Sequence, residues 1–220
     1  MCWSGGKPGR PVDLWWRLGQ AILGRALLQD PEDIGKNLCV ATLILLVGLP
    51  GAGKTTLARR LATDHGALRL TPDEWMIPLF GDSLAGGKRF VLEGRMITLA
   101  LQLLRLETNV VLDFGCWAKD ERSALRWLTQ REGGSFQLVY MPIERRAQLE
   151  RIGGRWIRTP HETFAMTAAD LDRWREVFEV PDAAELGDQA VQDPPAGWSS
   201  WLDWAQDHWP SLSTGEGEAG

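Results

Sequence analysis

The sequence predicts an α/β domain built on a parallel sheet. Three observations carry that expectation. Short apolar runs of strand length alternate with longer segments of helical periodicity. The clearest run, Ala41–Val47, is apolar at nearly every position, as a strand covered on both faces requires. A glycine-rich stretch, Gly48 to Gly53, joins that run to the first helix after it. The composition, 44% hydrophobic and 24% charged over 220 residues, is that of a globular chain and excludes global disorder.

Taken in order, residues 1–11 are rich in Gly, Pro and basic side chains and read as a loop. Residues 12–28 place Leu14, Leu18, Ile22 and Ala26 at four-residue spacing, an amphipathic helix closed by Asp30-Pro31 and Gly35. Ala41–Val47 is the first strand and Thr55–Thr63 the helix that follows the glycines. Ala67–Leu70 is a short strand candidate, and Glu74–Leu79 a short helix. Phe90–Leu106 is a long helix with Leu92, Met96, Leu99 and Leu103 along one stripe. Asn109–Leu112 is a buried strand ending at Asp113; Asp120–Arg131 is a helix stopped by Gly133-Gly134; Phe136–Tyr140 is a strand ending before Pro142. Glu144–Ile152 and Ala168–Phe178 are further helices. Beyond Pro181 the composition shifts. Asp193-Pro194-Pro195 interrupts structure, and Trp198, Trp201, Leu202 and Trp204 form a Trp-rich segment of one or two helical turns before a disordered end. This divides the chain into an extension over 1–37, a core over 38–182 and a C-terminal segment over 183–220.

Cys2, Cys39 and Cys116, with His65, His161 and His208, are too scattered for a disulfide framework or a zinc site. The longest apolar run, Cys39 to Val47, is too short to span a membrane, and the N-terminal apolar stretch is interrupted by Arg17, Gln20 and Arg25, unlike a secretory signal. The expectation is a soluble, cytoplasmic protein. A net charge of −5 leaves no broad basic surface, so nucleic acid is not an expected partner.

Gly48-Leu49-Pro50-Gly51-Ala52-Gly53-Lys54-Thr55 fits G-x-x-x-x-G-K-[ST], set between a strand and a helix as that motif requires. Glycines let consecutive backbone N–H groups converge on phosphate oxygens, and the helix N-terminus adds favourable partial charge. Lys54 reaches the β- and γ-phosphates, the Thr55 hydroxyl ligates Mg²⁺, and Thr56 completes the first turn. The expected ligand is ATP, with GTP the alternative.

In an open parallel sheet chemistry collects at the carboxyl ends of strands. Two acids fall there, Asp73 and Asp113. A carboxylate near the γ-phosphate accepts a proton from the attacking hydroxyl or holds Mg²⁺. Asp73 also reads as an N-cap for the helix behind it. Asp113 ends an apolar strand in the manner of a second metal-binding acid. Arg145, Arg146, Arg151, Arg155 and Arg158 crowd into one short segment, with Arg151 and Arg155 sharing a helix face and Gly153-Gly154 between them suggesting the hinge of a lid. The other reading of such a run is a solvated basic face, and Arg59 and Arg60 are expected to face solvent. Trp75, Ile77, Leu79 and Phe80 either line an acceptor pocket or belong to the core.

The loop Gly48–Thr55, Asp73, Leu112-Asp113-Phe114-Gly115, the Arg151/Arg155 segment and the closing Leu171-Asp172-Arg173-Trp174 to Pro181 together resemble the small P-loop kinases often called AAA-type ATP-binding proteins. These are similar to zeta toxins, chloramphenicol phosphotransferase and polynucleotide kinases. The resemblance covers about residues 40–182. It implies a nucleoside-monophosphate-kinase-like three-layer fold with a five-stranded parallel sheet in order 2-3-1-4-5. It implies Asp73 as the base for a substrate hydroxyl and Arg151 and Arg155 in a lid over the phosphates. Zeta toxins and polynucleotide kinases commonly carry Arg three residues after that Asp; here the position is Met76, and Arg89 or Arg95 would have to substitute.

The expected function is an ATP- and Mg²⁺-dependent kinase acting on a hydroxyl of a small molecule. The alternatives are an ATP-hydrolysing regulatory protein and a polynucleotide end kinase. Seven of the 12 tryptophans, Trp3, Trp15, Trp16, Trp198, Trp201, Trp204 and Trp209, fall outside the core. Segments so short cannot bury that much aromatic surface alone, so both flanks are expected to dock on the core or on each other, or to form a homodimer surface.

Overall fold

The computed structural model describes residues 40–81, 85–158, 166–187 and 189–214, with side chains omitted over 155–158. The N-terminal helix over 12–28 and its tryptophans lie outside the described residues.

The strands are β1 (Thr42–Val47), β2 (Leu68–Leu70), β3 (Val110–Leu112) and β4 (Ser135–Tyr140). They form one parallel sheet in the order β2-β3-β1-β4, with Leu43 opposite both Val110 and Phe136. Central β1 is fully covered, which is why its sequence is a continuous apolar run. Alternation sorts its side chains between two layers. Ile44 and Leu46 pack with Val111 and Val139 against Ala58 and Leu61 of helix α1 (Lys54–Asp64). Leu43, Leu45 and Val47 face the larger core, where α3 (Lys88–Arg105) and α4 (Lys119–Arg131) contribute Met96, Ile97, Leu101, Leu125 and Leu128.

A short helix α2 (Asp73–Phe80) follows β2, and α5 (Arg145–Arg158) and α6 (Ala168–Val177) follow β4. The expected fifth strand is not formed among the described residues. Where the chain returns beside β4 it makes α7 (Ala183–Leu186), which Asp182 caps by accepting from Glu185 N at 2.9 Å. The Arg126 guanidinium of α4 donates to the carbonyls of Glu185, Gly187 and Gln189. Those carbonyls are engaged by a side chain rather than by a strand ladder, and the sheet ends at β4. Arg122 is buried beside it, bidentate to Glu185 and donating to the carbonyls of Cys116 and Trp117.

The C-terminal segment packs onto the same core. Helix α8 (Trp201–His208) starts at Ser200, whose hydroxyl accepts from Asp203 N, and lies against α4. Trp201 and Trp209 are 4% and 0% exposed and belong to the main core cluster. The chain then runs along α3: Ser211 Oγ donates to Val91 O, Ser213 N to Thr98 Oγ1 at 2.9 Å, and Arg105 to Thr214 O at 2.6 Å. A Cβ on Gly94 would stand 2.6 Å from Ser211 Oγ and 2.9 Å from Leu212 N, so this close approach requires glycine there. Two of the indoles invoked for a dimer surface are therefore packed within the chain. The buried stripe of α3 also differs from the expected one. Leu92 and Met96 are buried as expected, but the stripe continues through Ala100, Leu101 and Leu104, while Leu99 and Leu103 are half-buried.

Candidate active site

The loop between β1 and α1 sits at the carboxyl end of the sheet. Gly48 is buried against the end of β4, where a Cβ would lie 2.5 Å from Met141 O. Ala52 N closes a turn onto Leu49 O at 3.1 Å, and both of these apolar side chains are buried. Gly53 takes a left-handed conformation, φ 98°, as the N-cap of α1. No side chain caps this helix and no acid lies in its first turn. An uncapped helix N-terminus following a glycine-rich loop fits phosphate oxygens. Lys54 Nζ arches over the loop, donating to Gly48 O at 2.8 Å and Leu49 O at 3.2 Å.

Asp113 extends β3, its N–H donating to Leu70 O at 2.9 Å. Its carboxylate is buried, and burial pushes its pKa up. The neighbouring Thr55 hydroxyl and the charges of Lys54 and Arg69 pull the other way. Hydroxyl and carboxylate therefore meet at the foot of the loop, the oxygen pair expected to hold Mg²⁺. Among the described residues no group of three His, Cys, Asp or Glu side chains could hold a metal. Thr55 and Asp113 fit an ion whose remaining ligands are phosphate oxygens and water. Arg69, missed in the sequence, lies between the acids of this end, 2.6 Å from Glu74 and 3.5 Å from Asp113. Its only sequence signal is a charge inside a three-residue strand, Leu68-Arg69-Leu70.

Asp73 is the first residue of α2, not its cap: Pro72 occupies that position and no side-chain cap bond forms. The Asp73 carboxylate is exposed, with Oδ1 accepting from Arg89 NH1 at 2.8 Å. Of the two arginines considered as substitutes for the position of Met76, Arg89 is at Asp73 and Arg95 reaches Ser211 O. Met76 itself is fully buried. Trp75, Ile77, Leu79 and Phe80 are exposed rather than core, and Lys88 lies 5.1 Å over the Phe80 ring.

The arginine segment separates into individual roles. Arg151 NH1 donates to Gly51 O at 3.1 Å and so lies on the phosphate loop. Arg145 pairs with Asp172 of α6, and Arg146 with Glu150 on an exposed face. Arg59 and Arg60 are largely exposed, paired with Glu74 and Asp64. Helix α5 runs unbroken through Gly153-Gly154, so these glycines do not form the break expected of a hinge. The side chains of Arg155 and Arg158 lie outside the described residues. Gln148, also missed, is buried, donating to Pro50 O at 3.0 Å and accepting from Arg175 at 2.9 Å. It joins α5 and α6 to the loop.

This geometry defines a P-loop α/β domain with acids at the ends of its second and third strands. The model of the AAA domain family matches residues 43–181, and the chain belongs to that family. Its fold is that of the P-loop kinases. Among solved structures, a proposed kinase from Chloroflexus aurantiacus is 19% identical, over 66% of this chain and 80% of that one, with a TM-score of 0.54. Chaetomium thermophilum Kti12 in complex with ADP-AlF3 is 15% identical, over 78% of this chain and 99% of that one, with a TM-score of 0.52. A Pnkp1/Rnl/Hen1 complex matches at 21% identity and a TM-score of 0.48 over 53% of this chain; this chain spans 40% of that one's length. No curated protein matches. No helix of the described residues is long and apolar enough to cross a membrane.

Proposed function

We propose that the protein is an ATP-dependent phosphotransferase that moves the γ-phosphoryl group to a hydroxyl of a small molecule. The observation that carries this reading is the convergence of four groups at one end of the sheet: Lys54 over the loop, Thr55 and the buried Asp113 at its foot, and the exposed Asp73 beside them. The loop amides and Lys54 bind the β- and γ-phosphates. Mg²⁺, held by Thr55 and Asp113, neutralises phosphate charge when bound. Asp73 accepts the acceptor's hydroxyl proton as its oxygen bonds to the γ-phosphorus, and the bond from that phosphorus to the bridging oxygen breaks to release ADP. Arg151, with Arg155 one turn further along α5, neutralises charge on the transferred group.

A small acceptor suits the exposed apolar side chains of Ile77 and Phe80, one and two turns beyond Asp73 on the same helix. The net charge of −5 weighs against a polynucleotide. The test is an acceptor screen with γ-labelled ATP and Mg²⁺ over antibiotics, nucleosides and sugar nucleotides. Label transferred to one class of alcohol is the expected result; ATP hydrolysis with no transfer to any alcohol favours the regulatory ATPase instead.

A further inference from the structure

A continuous polar path joins the C-terminal segment to Asp73. Trp209 Nε1 donates to Glu93 Oε2 at 3.4 Å. Arg89 Nε donates to Glu93 Oε1 at 2.9 Å, and Arg89 NH1 to Asp73 Oδ1 at 2.8 Å. Glu93 is buried, and Arg89 has a quarter of its side chain exposed. Burial pushes the Glu93 carboxyl up, opposed by Arg89 and by the indole N–H, while the nearby Glu121 adds to the rise. Glu121 is itself engaged by Ala118 N and by His208 of α8. Burying a carboxylate with so few partners is costly, and hydrophobic packing gives no reason for it.

We propose that Trp209, Glu93 and Arg89 are positioning residues for Asp73, so that the docked C-terminal segment forms part of the catalytic apparatus. This rests on the reading of Asp73 as the base. An exposed Asp–Arg pair alone is weak and mobile. Here the guanidinium is planar and is gripped at Nε by an acid that the core and the indole hold in place, so NH1 meets Asp73 at a fixed point. Anchoring Oδ1 leaves Oδ2, which has no partner among the described residues, to take the proton. Trp209 and Glu93 act through Arg89 and touch neither nucleotide nor acceptor.

The test uses the full chain with ATP, Mg²⁺ and water as the hydroxyl acceptor, measuring turnover and ATP affinity. Trp209→Phe keeps a ring and removes only the donor; Glu93→Gln keeps shape and an acceptor for the indole while releasing Arg89. The expected result is a loss of about three-fold for the first and about ten-fold for the second, the scale of a net intramolecular hydrogen bond, at unchanged ATP affinity. In an Asp73→Asn background neither adds a further loss. Equal fractional losses in both backgrounds, or full turnover in both variants, overturn the positioning role while leaving Asp73 as the base. Full turnover in Asp73→Asn alone overturns the base reading and this proposal with it.

Discussion

The phosphate loop and the C-terminal segment meet the same core by opposite means. The loop uses backbone: glycines that admit Met141 O at Gly48 and a left-handed turn at Gly53, with Lys54 and Thr55 following in the next two positions. Its turn, its cap and its lysine arch are made within the loop, and Gln148 and Arg151 of α5 reach its carbonyls from afar. The C-terminal segment uses side chains brought together across more than a hundred residues, as in Trp209 to Glu93 and Ser213 to Thr98. Changes in the loop should therefore damage chemistry and spare the fold, and changes at the C-terminal contact should damage the fold first.

The largest expected effect breaks the second region. Trp209→Ala removes the largest fully buried side chain described and should cost about 3–5 kcal/mol of stability, read in denaturant or thermal unfolding. A loss under 1 kcal/mol would mean that the segment adds little to the core. Lys54→Ala should lower ATP turnover about 100- to 1000-fold, the scale of one lost electrostatic contact in phosphoryl transfer. Its melting temperature should stay near that of the parent; full turnover would remove the loop from the chemistry. Gly94→Ala sharpens the contrast. The methyl group has no room beneath Ser211 and Leu212, and the expected cost is about 1–3 kcal/mol in unfolding, with ATP affinity retained.

The smallest effect is a pH dependence. The folded pKa of Glu93 lies above its ordinary value of 4.5, chiefly through burial, so the folded state binds more protons than the unfolded one in the window just above that value. The associated stability is present below the window and is lost as pH rises through it. Glu93→Gln removes this dependence, so the melting temperature of the variant should gain on the parent as pH rises above 4.5. A difference that stays constant with pH would show Glu93 to be ordinary in the fold.

These two regions also differ in how far the sequence reveals them. The loop's residues are contiguous, and each is needed for a local reason, so motif and geometry coincide. Asp113 was legible because an apolar strand ends on it, and Asp73 because it follows a strand, although its alternative as a cap gives way to Pro72. Glu93, Gly94 and Thr98 form a polar and small face of α3 outside the apolar stripe that periodicity picks out, and the returning chain packs on it. Glycine within a long helix was the one local signal of close approach. The missing fifth strand has the same origin. Arg122 and Arg126 carry no mark in the sequence of the helix they belong to, yet both are buried, bonded to Glu185, Gly187 and Gln189. Periodicity registers polarity, not the partner that satisfies it.

The most direct measurement is label transfer from ATP to the alcohol found by the screen, comparing Asp73→Asn with the parent at matched nucleotide occupancy. A base at Asp73 is expected to show transfer reduced at least about 100-fold, within the usual range for general-base catalysis, with ATP affinity unchanged. Transfer at the parent rate would contradict it and leave the loop as a nucleotide site whose chemistry lies elsewhere.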